Sequence, residues 1–302
     1  MPFQNCCLPL DAGRLFRSFR RQGISLYSLD SMIQRPAMAS VPILLYHDLE
    51  SAQCKSNKST LPGVDTVVPL ATFDRQLAYL SHHQYKSISL AEFFHLRKTS
   101  GDLRNKIVLT FDDGHKSNFE LALDCLLRHG FRATFFVVSG NIDQGPHITS
   151  TQLKQMSELQ MEIGSHGVTH TYLSQMDEAR LHAEIDDSQK ALADITGTSI
   201  DFFAFPGGHF NKAALRWLRA SSYHGACSCY VGLNDSRTDP FLLRRIEIRR
   251  RTAPEFSFLS SSANLRFYTL LDRCKGALRF SVGLRNYCYL RNKCFSLYPF
   301  KR

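Results

Sequence analysis

Residues 107–138 read IVLTFDDGHKSNFELALDCLLRHGFRATFFVV. An apolar, β-rich run from Ile107 to Phe111 stops at two adjacent carboxylates, Asp112 and Asp113, followed by Gly114. Two acids at the mouth of a buried strand are costly unless a counter-charge balances them, and a metal ion is the usual one. Helically spaced Phe119, Leu123, Leu126 and Leu127 follow, then a terminating Gly130 and a second apolar run from Thr134 to Val138. Strand, acidic turn, helix and strand make the repeating unit of a parallel sheet.

The same alternation extends to both sides. Upstream, Val41–Leu49 reads as a buried strand, Thr72 as the cap of a helix carrying Phe73, Leu77 and Leu80, Ser87–Leu90 as a strand, and Ala91–Lys98 as a helix. Downstream, Gln152–Leu159 is helical and Met161–Gly164 leads into SHGVTH, which holds His166 and His170. Glu178–Ile195 is a long amphipathic helix closed by Gly197. Phe202–Phe205 is a strand ending at Pro206-Gly207-Gly208, Asn211 caps a helix through Ala220, and Gly225–Val231 and Leu242–Ile248 are the last strands. This many strand–helix units imply a distorted (β/α) barrel of about seven parallel strands, closed or nearly so. His47, Asp112, Asp113, His166 and Pro206 all fall at carboxyl ends of strands, where such barrels gather their functional residues. One carboxylate with two histidines makes a three-ligand metal site, and the other carboxylate is then free to act as a base.

A chain of 302 residues can bury one large core with appendages, and no stretch has the length of a membrane-crossing helix. The net charge of +10 is uneven. From Arg244 to Arg302 there are fourteen Lys/Arg against three acids, Glu247, Glu255 and Asp272, so the rest is near neutral. After Ala263 the apolar residues Phe267, Leu270, Leu271, Cys274, Leu278 and Val282 keep helical spacing between arginines and lysines. Residues 263–302 are therefore expected to form a basic amphipathic helical tail suited to an anionic membrane surface, with no nucleic-acid partner. The nine cysteines are odd in number and form no paired C-x-x-C units, which points to a reducing compartment. Residues 1–40 carry five arginines and no apolar core of a secretory signal. Residues 1–38 read as a loose extension, or as sequence preceding a true start at Met38; a transit peptide is the remaining option. A cytoplasmic location, at most at the inner face of a membrane, follows as the expectation.

Together, TFDDG and SHGVTH resemble the polysaccharide deacetylases, carbohydrate esterase family 4, with its NodB-type domain. The resemblance runs from about Val41 to Arg251, within a domain set at 41–255. YHDL, TFDRQLAYL and LLRRIEI look most like the deacetylases of exopolysaccharide synthesis. It implies that Asp113, His166 and His170 bind a divalent metal, most simply Zn²⁺, and that Asp112 is the general base. The implied activity is removal of N-acetyl groups from N-acetylglucosamine-type sugars in a polysaccharide or its lipid-linked precursor. An amidase or O-acetyl esterase with the same site, and a catalytically silent carbohydrate-binding homologue, are the other readings. Two departures stand out. The family's R-x-P motif orients the base through its arginine, and here Ala204 occupies that position. The family's late histidine is also missing, since none follows His224. His209, beside the PGG turn, and His47 are then the candidates for the general acid. His47, Phe205, Pro206 and Gly207 are expected to line the substrate groove.

Overall fold

The structure is a computed structural model, and it describes residues 40–51, 64–252 and 256. The expected loose segment 1–38 and the basic tail 263–302 lie outside the described residues. Ten strands are described: β1 (Ile43–Tyr46), β2 (Asp48–Glu50), β3 (Val67–Pro69), β4 (Lys86–Ser87), β5 (Lys106–Phe111), β6 (Thr134–Val137), β7 (Glu162–Ser165), β8 (Phe202–Ala204), β9 (Gly225–Cys227) and β10 (Ile246–Glu247). Between them run α1 (Leu70–His82), α2 (Leu90–Lys98), α3 (Leu123–Arg128), α4 (Ser150–Glu158), α5 (Glu178–His182), α6 (Ser188–Thr196) and α7 (Lys212–Ala220).

The main sheet is parallel, in the order β10-β1-β5-β6-β7-β8-β9, with β4 added beside β5. A parallel bridge from Cys227 to Leu243 ties β9 to the segment leading into β10, which draws the two ends of the sheet together. The expected distorted barrel of about seven strands is the architecture observed. Strands β1 and β6 are buried at every residue, as parallel strands covered on both faces must be. Alternate residues serve two cores. Leu44, Tyr46, Leu109, Phe111, Phe135 and Val137 pack outward against the helices. Ile43, Val108, Phe136, Phe202, Ala204 and Leu243 pack with Phe93 and Phe94 of α2, which fill the amino-terminal mouth. The period of two then places Thr110 and Asp112 in register with Val108.

Four local expectations are corrected. Helix α1 opens at Leu70 after Pro69, whose fixed φ suits a helix entry, so Thr72 lies in the first turn rather than at the cap. The strand set at 87–90 stops at Ser87 because Ser89 accepts the Glu92 N–H and starts α2 at Leu90. Leu127 is 46% exposed. A π turn over Asn118–Ala122 precedes α3 and shifts the helix phase that had placed Leu127 inward. The long helix 178–195 is likewise divided by a π turn over Ala183–Asp187, while Gly197 closes it in the left-handed conformation as expected.

Candidate active site

The inward column of the barrel ends in a buried ion pair. Asp112 is 2% exposed and Arg245 1%. Arg245 Nη1 and Nη2 donate to Asp112 Oδ1 and Oδ2, both at 2.7 Å, a bidentate fork. Arg245 Nε donates to the Ser228 carbonyl at 3.1 Å, and the guanidinium lies 5.7 Å from the Phe136 ring centroid. Burial alone would push the Asp112 carboxyl up, but Arg245 more than reverses this and holds it below the ordinary carboxylate range. The nearby Cys227 thiol is pushed up to about 12 by burial, so it stays neutral and does not compete for the guanidinium.

The next residue faces elsewhere. Asp113 has φ +75°, a left-handed conformation that a non-glycine residue adopts only under constraint. The turn separates its carboxylate from that of Asp112 and directs it to two histidines. Asp113 Oδ1 lies 3.4 Å from His166 Nε2 and 3.2 Å from His170 Nε2, and Oδ2 lies 3.5 Å from His115 Nε2. Burial would raise the Asp113 carboxyl, yet hydrogen bonds from His115, His166 and His170 hold it far below its usual range. His166 is buried at the end of β7, and its Nδ1 pairs with the Ala204 carbonyl at 2.8 Å. That bond assigns a proton to Nδ1 and leaves Nε2 facing Asp113, where it would turn its lone pair to a metal ion once deprotonated. His170 follows, itself left-handed at φ +60°.

These three residues fit a divalent ion. Their ligand atoms all lie within 4.8 Å of one another. Tetrahedral bonds of 2.0–2.1 Å to nitrogen and oxygen set neighbouring ligand atoms about 3.3 Å apart, which the observed 3.2 and 3.4 Å match. The backbone carbonyl on His166 Nδ1 is the outer partner that a metal-binding histidine normally has.

The remaining predicted residues divide. His47 follows β1, within the electrostatic reach of Asp112, Asp113 and Glu247, and its Nδ1 is buried with no hydrogen-bond partner among the described residues. Burial lowers its pKa, against the pull of the two aspartates. His209 instead packs its ring 4.5 Å from that of Tyr172. Gly207 is exposed beside them at φ +58°, and a Cβ there would meet Tyr172 Cε1 at 2.6 Å. Phe205 was expected in the substrate groove, but it is fully buried and stacked on Phe210, and Pro206 is buried as well. Both support the turn from below. Sequence reasoning missed Arg245. Its signal was a charged residue within the apolar run LLRRIEI, paired with the missing arginine at Ala204. The Ala204 backbone holds His166, while Arg245 reaches Asp112 from the opposite end of the sheet order.

The family model that matches residues 100–226 is described as polysaccharide deacetylase. Residues 100–226, somewhat under half of the chain, are thus similar to a polysaccharide deacetylase domain. The Bacillus subtilis protein YxkH, whose name assigns it to the polysaccharide deacetylases, is 24% identical over 211 residues, covering 70% of this chain and 72% of that one. A peptidoglycan-N-acetylglucosamine deacetylase of Listeria monocytogenes is 34% identical over 108 residues, 35% of this chain but only 22% of the relative. Among solved structures, the Streptococcus pyogenes deacetylase PplD in complex with acetate superposes with a TM-score of 0.68 at 23% identity, covering 74% of this chain and 98% of that one. That likeness is one of fold. No helix among the described residues is long and apolar enough to cross a membrane.

Proposed function

We propose that this protein is a divalent-metal-dependent hydrolase that removes N-acetyl groups from N-acetylglucosamine-type sugars of a polysaccharide or its lipid-linked precursor. The observation that carries this reading is the pairing of a convergent Asp113–His166–His170 set with a separate buried carboxylate, Asp112, locked against Arg245. The Listeria relative's name supports the sugar class.

Asp113, His166 and His170 would hold a divalent ion, which when bound would supply Lewis-acid activation of water and of the acetyl carbonyl. Asp112 accepts the proton of the attacking water. Arg245 keeps that carboxylate anionic and fixes its direction, so no reorganisation is needed as the water's charge develops. The amide C–N bond then breaks, and the leaving nitrogen needs a proton. We assign that proton to His47, whose Nδ1 is buried, without a hydrogen-bond partner among the described residues, and in the field of both aspartates. Half-buried His209 and exposed Tyr172 form a rim beside Gly207 and contact the sugar. Acetate and a free amine leave the site.

The test is acetate release from N-acetylglucosamine oligomers and from acetyl esters, with and without a chelator. Release from the amide substrates that the chelator abolishes and added Zn²⁺ restores is expected. Release from esters alone would reassign the substrate. Bound metal without turnover of any acetylated sugar would make the protein a silent binder.

A further inference from the structure

The five residues His166–His170 form a loop whose two ends must present ring nitrogens to one point, and Gly167 and His170 both take left-handed conformations. Such a loop needs external support. One support is the turn at Ser139 and Gly140, whose N–H groups donate to the Gly167 and Val168 carbonyls, both at 3.0 Å. The other is Glu184. It lies in the π turn that divides the helix after the loop and is 5% exposed. Its Oε2 accepts the N–H groups of Val168 at 2.7 Å and Thr169 at 3.0 Å, and its Oε1 accepts the Thr169 hydroxyl. The approach is so close that a Cβ at Gly167 would meet Glu184 Oε2 at 2.7 Å.

The π turn is itself tied off. Ser188 Oγ donates to the Glu184 carbonyl at 2.7 Å and pairs with Ser165 Oγ at 2.6 Å, while the Tyr223 hydroxyl donates to the Ile185 carbonyl at 3.1 Å. Ser165 Oγ also accepts the Gly167 N–H at 3.2 Å. One buried network therefore joins the end of β7, the histidine loop and the π turn. Glu184 stands on the helix's inward stripe with Leu181, Ile185 and Ser188, where an apolar residue would otherwise pack.

We propose that Glu184 is a positioning residue for the metal ligands: its carboxylate sets the conformation of residues 167–169 and so the spacing and direction of the His166 and His170 nitrogens. It touches neither the metal nor the substrate. A carboxylate receiving three donors is satisfied only when the loop has this shape, so the desolvation penalty of Glu184 enforces the shape. The inference rests on Asp113, His166 and His170 being a metal site.

Glu162 provides a matched control. It too receives two backbone N–H groups, from Leu90 at 2.8 Å and Ala91 at 2.9 Å, and a hydroxyl, from Thr134 at 2.5 Å, but at the opposite end of β7. Zn²⁺ affinity is measured by competition with a chromophoric chelator for wild type, Glu184→Gln, Glu184→Asp and Glu162→Gln, and the visible spectrum is recorded with Co²⁺ in place of Zn²⁺. Outer partners of metal ligands typically control affinity by 10–100-fold. Glu184→Gln is expected to weaken Zn²⁺ binding by about that factor and to shift the Co²⁺ bands. At saturating metal its kcat should fall with KM little changed, and Glu184→Asp should recover part of the loss. Glu162→Gln should leave affinity and spectrum alone. Unchanged affinity and spectrum in Glu184→Gln, or an equal loss in Glu162→Gln, would overturn the proposal. If Glu184→Gln does not fold, Thr169→Val, which removes only the hydroxyl donor, is judged by the same two readouts. A wild type that binds no metal would instead defeat the metal reading on which the proposal rests.

Discussion

The two ends of β7 treat buried charge in opposite ways. At the amino-terminal end, Glu162 is surrounded by donors from Leu90, Ala91 and Thr134, and burial pushes its carboxyl up. At the carboxyl end, Asp113 meets the ring nitrogens of His166 and His170, whose hydrogen bonds hold its carboxyl far down. A carboxylate whose lone pairs are filled by backbone N–H groups has nothing left to bind, and it serves the fold. A carboxylate that meets two histidine ring nitrogens at one point sits where a metal ion in place of their protons would satisfy all three groups. The difference is what makes the second end the candidate site. Asp112 lies between these cases, ionised because of Arg245 yet still able to accept a proton.

The largest expected effect separates ligands from everything else. His166→Ala should lose bound metal and activity together, and full metal occupancy in that variant, measured by elemental analysis, would break the assignment. Asp112→Asn should keep its metal and lose turnover by roughly a hundredfold or more. Loss of metal instead would exchange the roles of the two aspartates.

Arg245→Met tests the buried pair. Removing one partner of such a pair strands the other charge and typically destabilises by about 3–5 kcal/mol, whereas replacing both is far milder. Urea unfolding should therefore show a large loss for Arg245→Met and a substantial recovery in Asp112→Asn/Arg245→Met, without recovery of activity. A double variant no more stable than the single one would mean that Arg245 acts chiefly through Ser228 and Phe136.

Much of this was legible in the sequence because the signals were local. The run IVLTF with its two aspartates, and the SHGVTH loop that follows it far along the chain, each mark a strand end and its candidate ligand types within a few residues. The alternation Val108, Thr110, Asp112 even indicates which aspartate looks into the barrel. What stayed hidden depended on contacts across the sheet. Arg245 is 133 residues from Asp112, and the pairing of β10 with β1, beside β5, brings them together. Glu184 looked like any acid on an amphipathic helix until the π turn was seen to place it inward. The two histidine candidates could not be ranked from spacing, since burial of His47 Nδ1 and the Tyr172–His209 contact are tertiary facts.

Those two histidines give the next test. His47→Gln should lower kcat about a hundredfold, as expected for loss of a general acid, and should flatten the alkaline limb of the kcat profile. His209→Ala should act mainly on KM, by less than about tenfold, because an aromatic rim contact contributes on the order of 1 kcal/mol. A reversed pattern would return the acid role to His209 and leave His47 as a packing residue.

The smallest effect concerns the sign of a pH dependence at the two ends. Asp112 has a folded-state pKa below its unfolded value of about 3.9, so its ionisation contributes stability at neutral pH that is lost as pH falls through that region and below. Glu162 is the reverse. Burial raises its carboxyl above the ordinary glutamate value, against the hydrogen bonds that pull it down. In that case the folded state is most favoured below the unfolded pKa, and stability is lost as pH rises through the folded value. Acidification from pH 7 toward the ordinary glutamate range should therefore favour wild type relative to Glu162→Gln, which has no group to titrate there. Asp112 stays ionised over that window in both proteins and cancels from the comparison. Unfolding midpoints of the two proteins at several pH values measure the difference directly. A gap that is flat with pH, or that narrows in favour of the variant on acidification, would show that the three donors around Glu162 outweigh its desolvation, and the contrast between the two ends of β7 would then be one of partners rather than of ionisation.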